Sequence, residues 1–234
     1  MYQGGKATVR FRAAVPLAVG IALVLALPAL AEKGKPSNTK PASSKTAAAK
    51  PAVAANPSAS DTLAMLEKTV AKDSSDFDTL YRLGVLYLDR ERTPEAARVL
   101  QKAVSLRPQD LRALVNLGAA YDANGNSLAA QNYYRQALQA SPGDSVATCR
   151  LASSLYTQQK YQEAMNLLRK LITDKPRSHC AYFTLGVAFA DAGLYRDAIR
   201  MWQKVVELAP DSPEAISARE SIDVLSKYLS GSSN

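Results

Sequence analysis

The residues that most readily do chemistry are few in this chain of 234 residues: two cysteines, Cys149 and Cys180, and one histidine, His179. A Cys–His nucleophile needs the imidazole within hydrogen-bond reach of the sulfur. His179 directly precedes Cys180 at the start of a predicted helix, where consecutive side chains point in different directions. No serine or cysteine has a convincing spacing from His179, so we predict no catalytic residue.

Metal and phosphate sites are not indicated either. A structural zinc site takes four Cys or His ligands, and the sequence has no cluster of these residues. The glycine pair Gly4-Gly5 lies outside any phosphate-binding loop motif. Asp89, Asp122 and Asp191 recur near the ends of predicted helices, and we interpret them as solvated charges or turn caps. We therefore predict no metal, no cofactor and no enzymatic activity.

The positive charge is concentrated in the first part of the chain. The net charge is +8, and residues 1–60 hold eight Lys or Arg against one acid, Glu32, which gives +7. Residues 61–234 hold 21 basic and 20 acidic residues, which gives +1. Because a surface that binds the phosphates of nucleic acid would be basic, we expect no nucleic-acid partner.

Residues 1–31 have the features of an export signal. Three basic residues precede an uncharged, mostly apolar stretch over 13–30, and Ala29-Leu30-Ala31 supplies the small residues that signal peptidase requires. We expect cleavage after Ala31. The alternative is a retained inner-membrane anchor, since about 18 apolar residues reach the lower limit for a span. Both alternatives place the rest of the chain outside the cytoplasm, in the periplasm or beyond.

Residues 32–60 are rich in Lys, Pro, Ala and Ser and contain no aromatic residue. Such a stretch cannot bury enough apolar surface to offset the entropy lost on ordering, so we expect a disordered tether. Its lysines suit contact with anionic lipid or cell-wall polymer, and the alternative is a plain solvated spacer. We also expect a disordered tail over 230–234.

The rest of the chain repeats with a period of 34 residues, which indicates a helical repeat architecture. We call the residues that occupy one position of the repeat in all four copies a column. One column holds small residues, a second holds large apolar residues, a third holds alanine and a fourth holds proline. In order, these columns are Gly84, Gly118, Ala152 and Gly186; Leu100, Tyr134, Leu168 and Trp202; Ala96, Ala130, Ala164 and Ala198; and Pro108, Pro142, Pro176 and Pro210.

This pattern resembles the tetratricopeptide repeat family over residues 77–212. The resemblance implies an all-α fold, a right-handed α-solenoid of four helix–turn–helix units at 77–110, 111–144, 145–178 and 179–212. Their helices are expected at 77–90 and 94–106, 111–124 and 127–140, 145–158 and 161–174, and 179–192 and 195–208. Tight turns are expected at Asn124-Gly125 and Ala192-Gly193.

The repeat domain is expected to span 61–229, with a capping helix at each end because end repeats otherwise expose apolar surface. The caps are predicted at 61–73 and 213–228. Each should turn three apolar residues inward: Leu63, Leu66 and Val70 in the first, and Ile216, Ile222 and Leu225 in the second. The third unit diverges at Thr148, Ala152 and Leu171, where we expect a local packing adjustment rather than a break.

In the resembled family, partners bind on the concave face that the first helix of each unit lines. The corresponding residues here are mostly apolar or aromatic: Tyr81, Val85, Leu88, Arg112, Val115, Asn116, Arg150, Tyr156, Phe183 and Val187. Only Asn116 and Arg150 stand at the places of the carboxylate clamp of chaperone-binding members. We hypothesise that this face grips an apolar helix or an extended segment of a partner protein. The alternative is that these residues pack against neighbouring helices and the chain's own terminal segment fills the groove.

Cys149 and Cys180 fall on the first helices of adjacent units, and two interpretations of them stay open. An oxidising compartment would favour a disulfide. The spacing of the helices decides whether the two Cα atoms come within the roughly 7 Å that a disulfide requires. Otherwise the two residues are unpaired and act as small apolar side chains.

Taken together, the sequence predicts a protein–protein interaction scaffold, an extracytoplasmic adaptor of a cell-envelope complex. The alternative function is a cell-wall- or membrane-associated factor that acts through the basic tether, with the repeats as a spacer. In either case a membrane would be contacted only through an uncleaved leader or the tether.

Overall fold

The structure, a computed structural model, describes residues 59–231. The predicted leader, nearly all of the predicted tether and residues 232–234 lie outside the described residues. The described part forms ten helices and no strand, so the predicted all-α repeat fold is confirmed. The helices are α1 (Ala59–Lys72), α2 (Phe77–Asp89), α3 (Thr93–Leu106), α4 (Leu111–Ala123), α5 (Ser127–Ala140), α6 (Ser145–Thr157), α7 (Tyr161–Asp174), α8 (His179–Asp191), α9 (Tyr195–Leu208) and α10 (Pro213–Gly231).

The helices belong to two compact units. Among the described residues, the N-terminal unit spans 59–181 and the C-terminal unit spans 182–231, so the boundary falls inside α8. Every helix predicted from the 34-residue register is present in the structure, and α8 contributes residues to both units. The register therefore predicts the helices well, because each apolar column marks the inner face of one helix.

In the N-terminal unit, the two helices of a pair meet through a small residue and a large one. A Cβ atom added to Gly84 would lie 2.5 Å from Cγ of Leu100, and one added to Gly118 would lie 2.4 Å from Cε1 of Tyr134. Real Cβ atoms do not approach other atoms so closely, so glycine is required for this spacing of the helices. Ala152, which takes the glycine position in the third pair, is fully buried in an unbroken α6.

The turn within each helix pair has the same backbone conformation in all four repeats. Its central residue has a positive φ at Glu91 (58°), Gly125 (77°), Gln159 (61°) and Gly193 (74°). Around Gly125, the N–H of Asn126 donates to the carbonyl of Tyr121 at 2.8 Å, which is the long hydrogen bond of a Schellman motif. The predicted glycine turns are confirmed, and the same geometry also occurs at two residues that are not glycine.

Aspartates cap the first helices of the N-terminal unit. The carboxylates of Asp76, Asp110 and Asp144 are spaced by 34 residues, and each accepts one hydrogen bond from the backbone N–H three residues later in the chain. The N–O distances are 3.0, 2.9 and 2.8 Å. Each cap satisfies a backbone donor that has no partner within the helix, which contributes about 1 kcal/mol. These caps fix where α2, α4 and α6 begin.

Helix α1 covers the first pair, as predicted. Leu63 and Leu66 are buried in the core formed with α2 and α3. Glu67 accepts hydrogen bonds from the hydroxyl of Tyr87 at 2.8 Å and from Nη1 of Arg92 at 3.0 Å. The cap is thus held by apolar burial together with a partly exposed charged network.

The C-terminal unit is built around Trp202 of α9. A Cβ atom added to Gly186 would lie 2.3 Å from Nε1 of Trp202, so the small-against-large contact recurs in this unit. Helix α10 packs on α9 with Ala215, Ala218 and Leu225 buried. The two alanines allow the helix axes to approach closely.

The inward face of α10 differs from the prediction. Ile216 is 54% exposed, while Ile222 is half-buried and Leu225 is 7% exposed. The inward stripe follows Ala215, Ala218, Ile222 and Leu225, and Ile216 lies about 100° away from Ala215 around the helix. The helix also continues to Gly231, so Ser230 and Gly231 are helical rather than part of a tail.

Replacing Gly118 with alanine tests the contact with Tyr134. We expect the free energy of unfolding to fall by about 1–3 kcal/mol, because the new methyl group overlaps the ring. The exposed Gly231, around which nothing lies within 4 Å, provides the matched control, and Gly231→Ala should change stability by less than about 0.5 kcal/mol. Urea unfolding followed by circular dichroism measures both changes. Equal stability of Gly118→Ala and the wild type would contradict the requirement for glycine.

Candidate partner-binding surface

The first helices of successive repeats pack side by side in the N-terminal unit, α2 on α4 and α4 on α6. Two contacts join α2 to α4 at Tyr81. Nδ2 of Asn116 donates to the Tyr81 hydroxyl at 3.0 Å, and the guanidinium of Arg112 lies 5.0 Å from the centre of the Tyr81 ring. A hydrogen bond and a cation–π contact therefore fix the two helices in register.

Three of the predicted partner-binding residues lie in the interior of this unit. Tyr81 is 8% exposed, and Val115 and Asn116 are each 3% exposed. These positions face the neighbouring first helix, and close packing of the helices covers them. This agrees with the alternative interpretation for these three residues, namely packing between helices.

The other predicted residues of the N-terminal unit remain at the surface. Val85, Leu88, Arg150 and Tyr156 are half-buried and Arg112 is exposed. Their places in the repeat put them on one side of the first helices, and we call these five residues the first-helix face. It combines aliphatic side chains, two guanidinium groups and an aromatic ring.

Tyr156 gives this face an aromatic end. Its ring meets that of Tyr161 edge to face, with 4.9 Å between ring centres, and Tyr161 is 42% exposed. Arg112 approaches Asp110 to 3.7 Å, an exposed pair that contributes little to stability. The guanidinium of Arg112 is therefore accessible to a carboxylate or a carbonyl of a partner.

In the C-terminal unit, Phe183 and Val187 lie one helical turn apart on α8. Both are half-buried and pack on the core that contains Trp202 and Val205. Each therefore has a structural role in its own unit and keeps part of its apolar surface accessible.

Asp122 forms a polar centre between α4, α5 and α6. Its carboxylate accepts hydrogen bonds from the hydroxyl of Tyr134 at 3.0 Å and from Oγ of Ser154 at 2.9 Å. Tyr134 and Ser154 are both buried. The interpretation of Asp122 as a solvated charge or simple turn cap is therefore wrong. The spacing of residues in the sequence did not reveal the two buried hydroxyl groups that donate to this carboxylate.

Burial sets the ionisation of this centre. Desolvation raises the pKa of Asp122, against the hydrogen bonds from Ser154 and Tyr134 and the positive charge of Arg150, which lower it. Burial also raises the pKa of Tyr134 well above its ordinary value, and the nearby charge of Asp122 adds to this. The phenol thus remains a hydrogen-bond donor to Asp122 throughout the physiological range.

Cys149 and Cys180 are bonded to each other in the structure. Their Cα atoms are 6.2 Å apart, within the range that a disulfide spans. Cys149 lies in α6 and is buried, and Cys180 lies at the start of α8 and is half-buried. It links the first helices of the third and fourth repeats.

Within residues 59–231, no group of three or more His, Cys, Asp or Glu side chains is placed to hold a metal ion. In the same part of the chain, no helix is both long enough and apolar enough to cross a membrane.

Comparison with protein families identifies the repeat. Two tetratricopeptide repeat models match the chain, one over residues 42–110 and 81–145 and the other over 123–178 and 155–222. The chain therefore belongs to the tetratricopeptide repeat family, whose repeats serve as scaffolds for protein–protein interaction. No match was found among curated proteins.

Solved structures share the fold. MamA is 24% identical with a TM-score of 0.54, over 64% of this chain and 88% of MamA. TTC0263, a protein of Thermus thermophilus, is 16% identical with a TM-score of 0.59, over 70% and 90%. A chain of the APC/C hetero-tetramer Cut9–Hcn1 is 16% identical with a TM-score of 0.60, over 73% and 38%. These similarities support the helical repeat architecture.

Replacing Asp122 with asparagine should change the pH dependence of stability. The folded-state pKa of Asp122 is raised, so its stabilising contribution is fully present below the ordinary aspartate pKa and is lost as pH rises through the folded value. Wild type should therefore be most stable relative to Asp122→Asn at low pH, with the difference falling as pH rises. Unfolding by urea at a series of pH values measures this. Tyr134→Phe is the matched control. The hydrogen bond from Tyr134 lowers the pKa of Asp122, so its loss should move the pH range over which stability falls to higher pH. A difference that is constant with pH would contradict the expected shift.

Reduction should remove the stabilisation that the disulfide supplies. The bond closes a loop with a sequence separation of 31, for which the chain-entropy model gives about 3–4 kcal/mol. We expect intact protein to gain two hydrogen atoms in mass after reduction and to unfold at lower urea concentration. The double variant Cys149→Ser/Cys180→Ser should not respond to reductant. Free thiols in protein isolated without reductant would contradict the bond.

Proposed function

We propose that the chain is an extracytoplasmic adaptor that binds a segment of a partner protein on its first-helix face and holds it within a complex of the cell envelope. The observation that carries the proposal is the composition of this face. Val85, Leu88 and Tyr156 retain accessible apolar surface, and Arg112 of the same face has an accessible guanidinium.

Such a face suits an amphipathic helix or an extended segment of a partner. The apolar side chains would be covered on binding, and burial of apolar surface contributes about 25 cal/mol per Å². Arg112 would pair with an acidic side chain or a carbonyl at the edge, which favours specificity and orientation. Because the face stands on packed helices, little ordering is needed before binding.

The disulfide supports the extracytoplasmic location. Structural disulfides persist in oxidising compartments such as the periplasm, whereas cytosolic thiols are kept reduced. A bond between Cys149 and Cys180 therefore agrees with the export signal proposed for residues 1–31. Partner and pathway are not specified by the repeat itself, which provides a scaffold for many ligands.

Substitutions on the face test the proposal. Tyr156→Ala should lower recovery of the partner from native envelope extracts by roughly tenfold or more, as expected of an aromatic anchor. Leu128, which is 63% exposed on a second helix, gives the matched control Leu128→Ala with full recovery. Circular dichroism and thermal unfolding verify that each variant is folded. Equal recovery by folded Tyr156→Ala and wild type would exclude the first-helix face.

Deleting residues 32–60 from the full chain separates the adaptor from the alternative function. The adaptor should keep its partner after deletion. Loss of envelope association, together with partner recovery that is insensitive to Tyr156→Ala, would instead favour a factor that acts through the basic tether.

A further inference from the structure

The disulfide stands at a place where adjacent first helices of the N-terminal unit are joined without a covalent bond elsewhere. Three pairs occupy this place in the 34-residue register: Tyr81 with Arg112, Val115 with Val146, and Cys149 with Cys180. The first pair makes a cation–π contact, and in the second Val146 packs against the core cluster that contains Val115. Because non-covalent contacts suffice at the first two places, we expect the third to stay packed when its bond is open.

The two cysteines differ in how far they can be reached from outside. Cys149 lies within α6 and is 6% exposed, whereas Cys180 is the second residue of α8 and is half-buried. Thiol–disulfide exchange requires an external sulfur to come into contact with the sulfur that reacts, so access decides which cysteine exchanges. In the folded chain, Cys180 is the more accessible of the two.

Ser178 places a hydrogen-bond donor beside the accessible sulfur. Its hydroxyl lies 3.4 Å from Sγ of Cys180 and is the donor, since a disulfide sulfur carries no hydrogen. Ser178 is 8% exposed and stands in the register where Asp76, Asp110 and Asp144 cap the earlier first helices. A carboxylate at this position would repel a thiolate, whereas the serine hydroxyl can donate to it.

Positive charge accompanies this end of α8. Lys175 and Arg177 are exposed, and residues 175–190 include no acidic residue. Cys180 also lies in the first turn of the helix, where the backbone N–H groups favour a negative charge. Its Sγ lies 3.4 Å from the carbonyl oxygen of Ser145, which can accept a hydrogen bond from the thiol after reduction. The surroundings thus hold the sulfur in place in both thiol and thiolate form and attract an anionic reagent.

We propose that Cys180 is a thiol-exchange site, the sulfur through which the bond forms and opens, with Cys149 as the resolving thiol. The reactant class is a small anionic disulfide and its thiol, for which glutathione is the probe. The proposal concerns the third and fourth repeats and is independent of partner binding on the first-helix face.

The exchange proceeds in two steps. The Cys180 thiolate attacks one sulfur of the external disulfide, whose S–S bond breaks and releases one thiolate with the electron pair. The Cys149 thiolate then attacks the Cys180 sulfur, forms the bond seen in the structure and expels the second external thiolate. The two cysteine thiols lose two electrons and two protons in total, and the external disulfide is reduced to two thiols. Reduction follows the same steps in reverse.

Single-cysteine variants of the full chain test this assignment. Glutathione disulfide should form a mixed disulfide with Cys149→Ser at least roughly tenfold faster than with Cys180→Ser, because the remaining Cys149 is buried. In concentrated urea the two rates should agree within about twofold, since unfolding exposes both sulfurs. Intact mass measures the rates, and circular dichroism verifies the folds. Equal rates without urea, whether the variants are folded or not, would overturn the proposal.

The oxidised wild-type chain provides a test that starts from the native fold. Brief treatment with glutathione followed by N-ethylmaleimide should place glutathione on Cys180 and maleimide on Cys149, as peptide mapping would show. Glutathione on Cys149, or on both residues equally, would contradict the assignment.

The role of Ser178 has its own readout in the Cys149→Ser chain. Ser178→Ala should raise the pH at which alkylation by iodoacetamide reaches half its maximal rate, because the thiolate loses a donor. Ser105→Ala, an exposed change on α3, is the matched control and should leave this pH unchanged. Likewise, Arg177→Glu should slow exchange with glutathione disulfide severalfold, whereas Arg98→Glu on α3 should not. A pH profile that Ser178→Ala does not move would exclude the hydroxyl as the donor to the thiolate.

Discussion

The contact of a small residue on the first helix with a large residue on the second determines the spacing within each helix pair. At Gly118, the space for a Cβ atom is already taken by the ring of Tyr134, and at Gly186 it is taken by Trp202. The large side chain thus fills the volume that a methyl group would occupy, and it packs against backbone. Helices that approach so closely gain dispersion contacts along their length, and this directs the remaining apolar columns into the core of each unit.

Because each pair is closed by this contact, the first helices can present their other sides to the next repeat. Polar and covalent links then connect one repeat to another. Asn116 bonds to Tyr81 across α2 and α4, Asp122 bonds to Ser154 across α4 and α6, and Cys149 bonds to Cys180. A buried polar group is costly unless it is satisfied, so these links favour one register between neighbours over others. The first-helix face is the surface that remains, and it is held in place by the same links.

The 34-residue columns were sufficient to predict the eight repeat helices and the glycine turns, because periodic apolar and small residues report directly on helix faces and crossings. They could not predict which first-helix residues stay accessible. Tyr81, Val115 and Asn116 share the repeat positions of accessible residues, yet the adjacent helix covers them. Ile216 was assigned to the wrong side of α10 because alanines, which carry little hydrophobic signal, occupy the inward positions.

The turns show how strongly packing constrains the local backbone. Glycine adopts a positive φ without strain, but Glu91 and Gln159 adopt it at a cost of about 1 kcal/mol or more each. Their turns close with the same hydrogen bonds as the glycine turns, since the N–H of Arg92 reaches the carbonyl of Tyr87 at 2.9 Å and that of Lys160 reaches Leu155 at 2.9 Å. The geometry is therefore imposed by the two helices on either side. A turn residue can vary as long as the crossing contact holds, and the exposed side chains of the first helices can vary for the same reason. This separation of scaffold from surface explains why the repeat specifies the fold firmly and leaves partner choice to a few accessible residues.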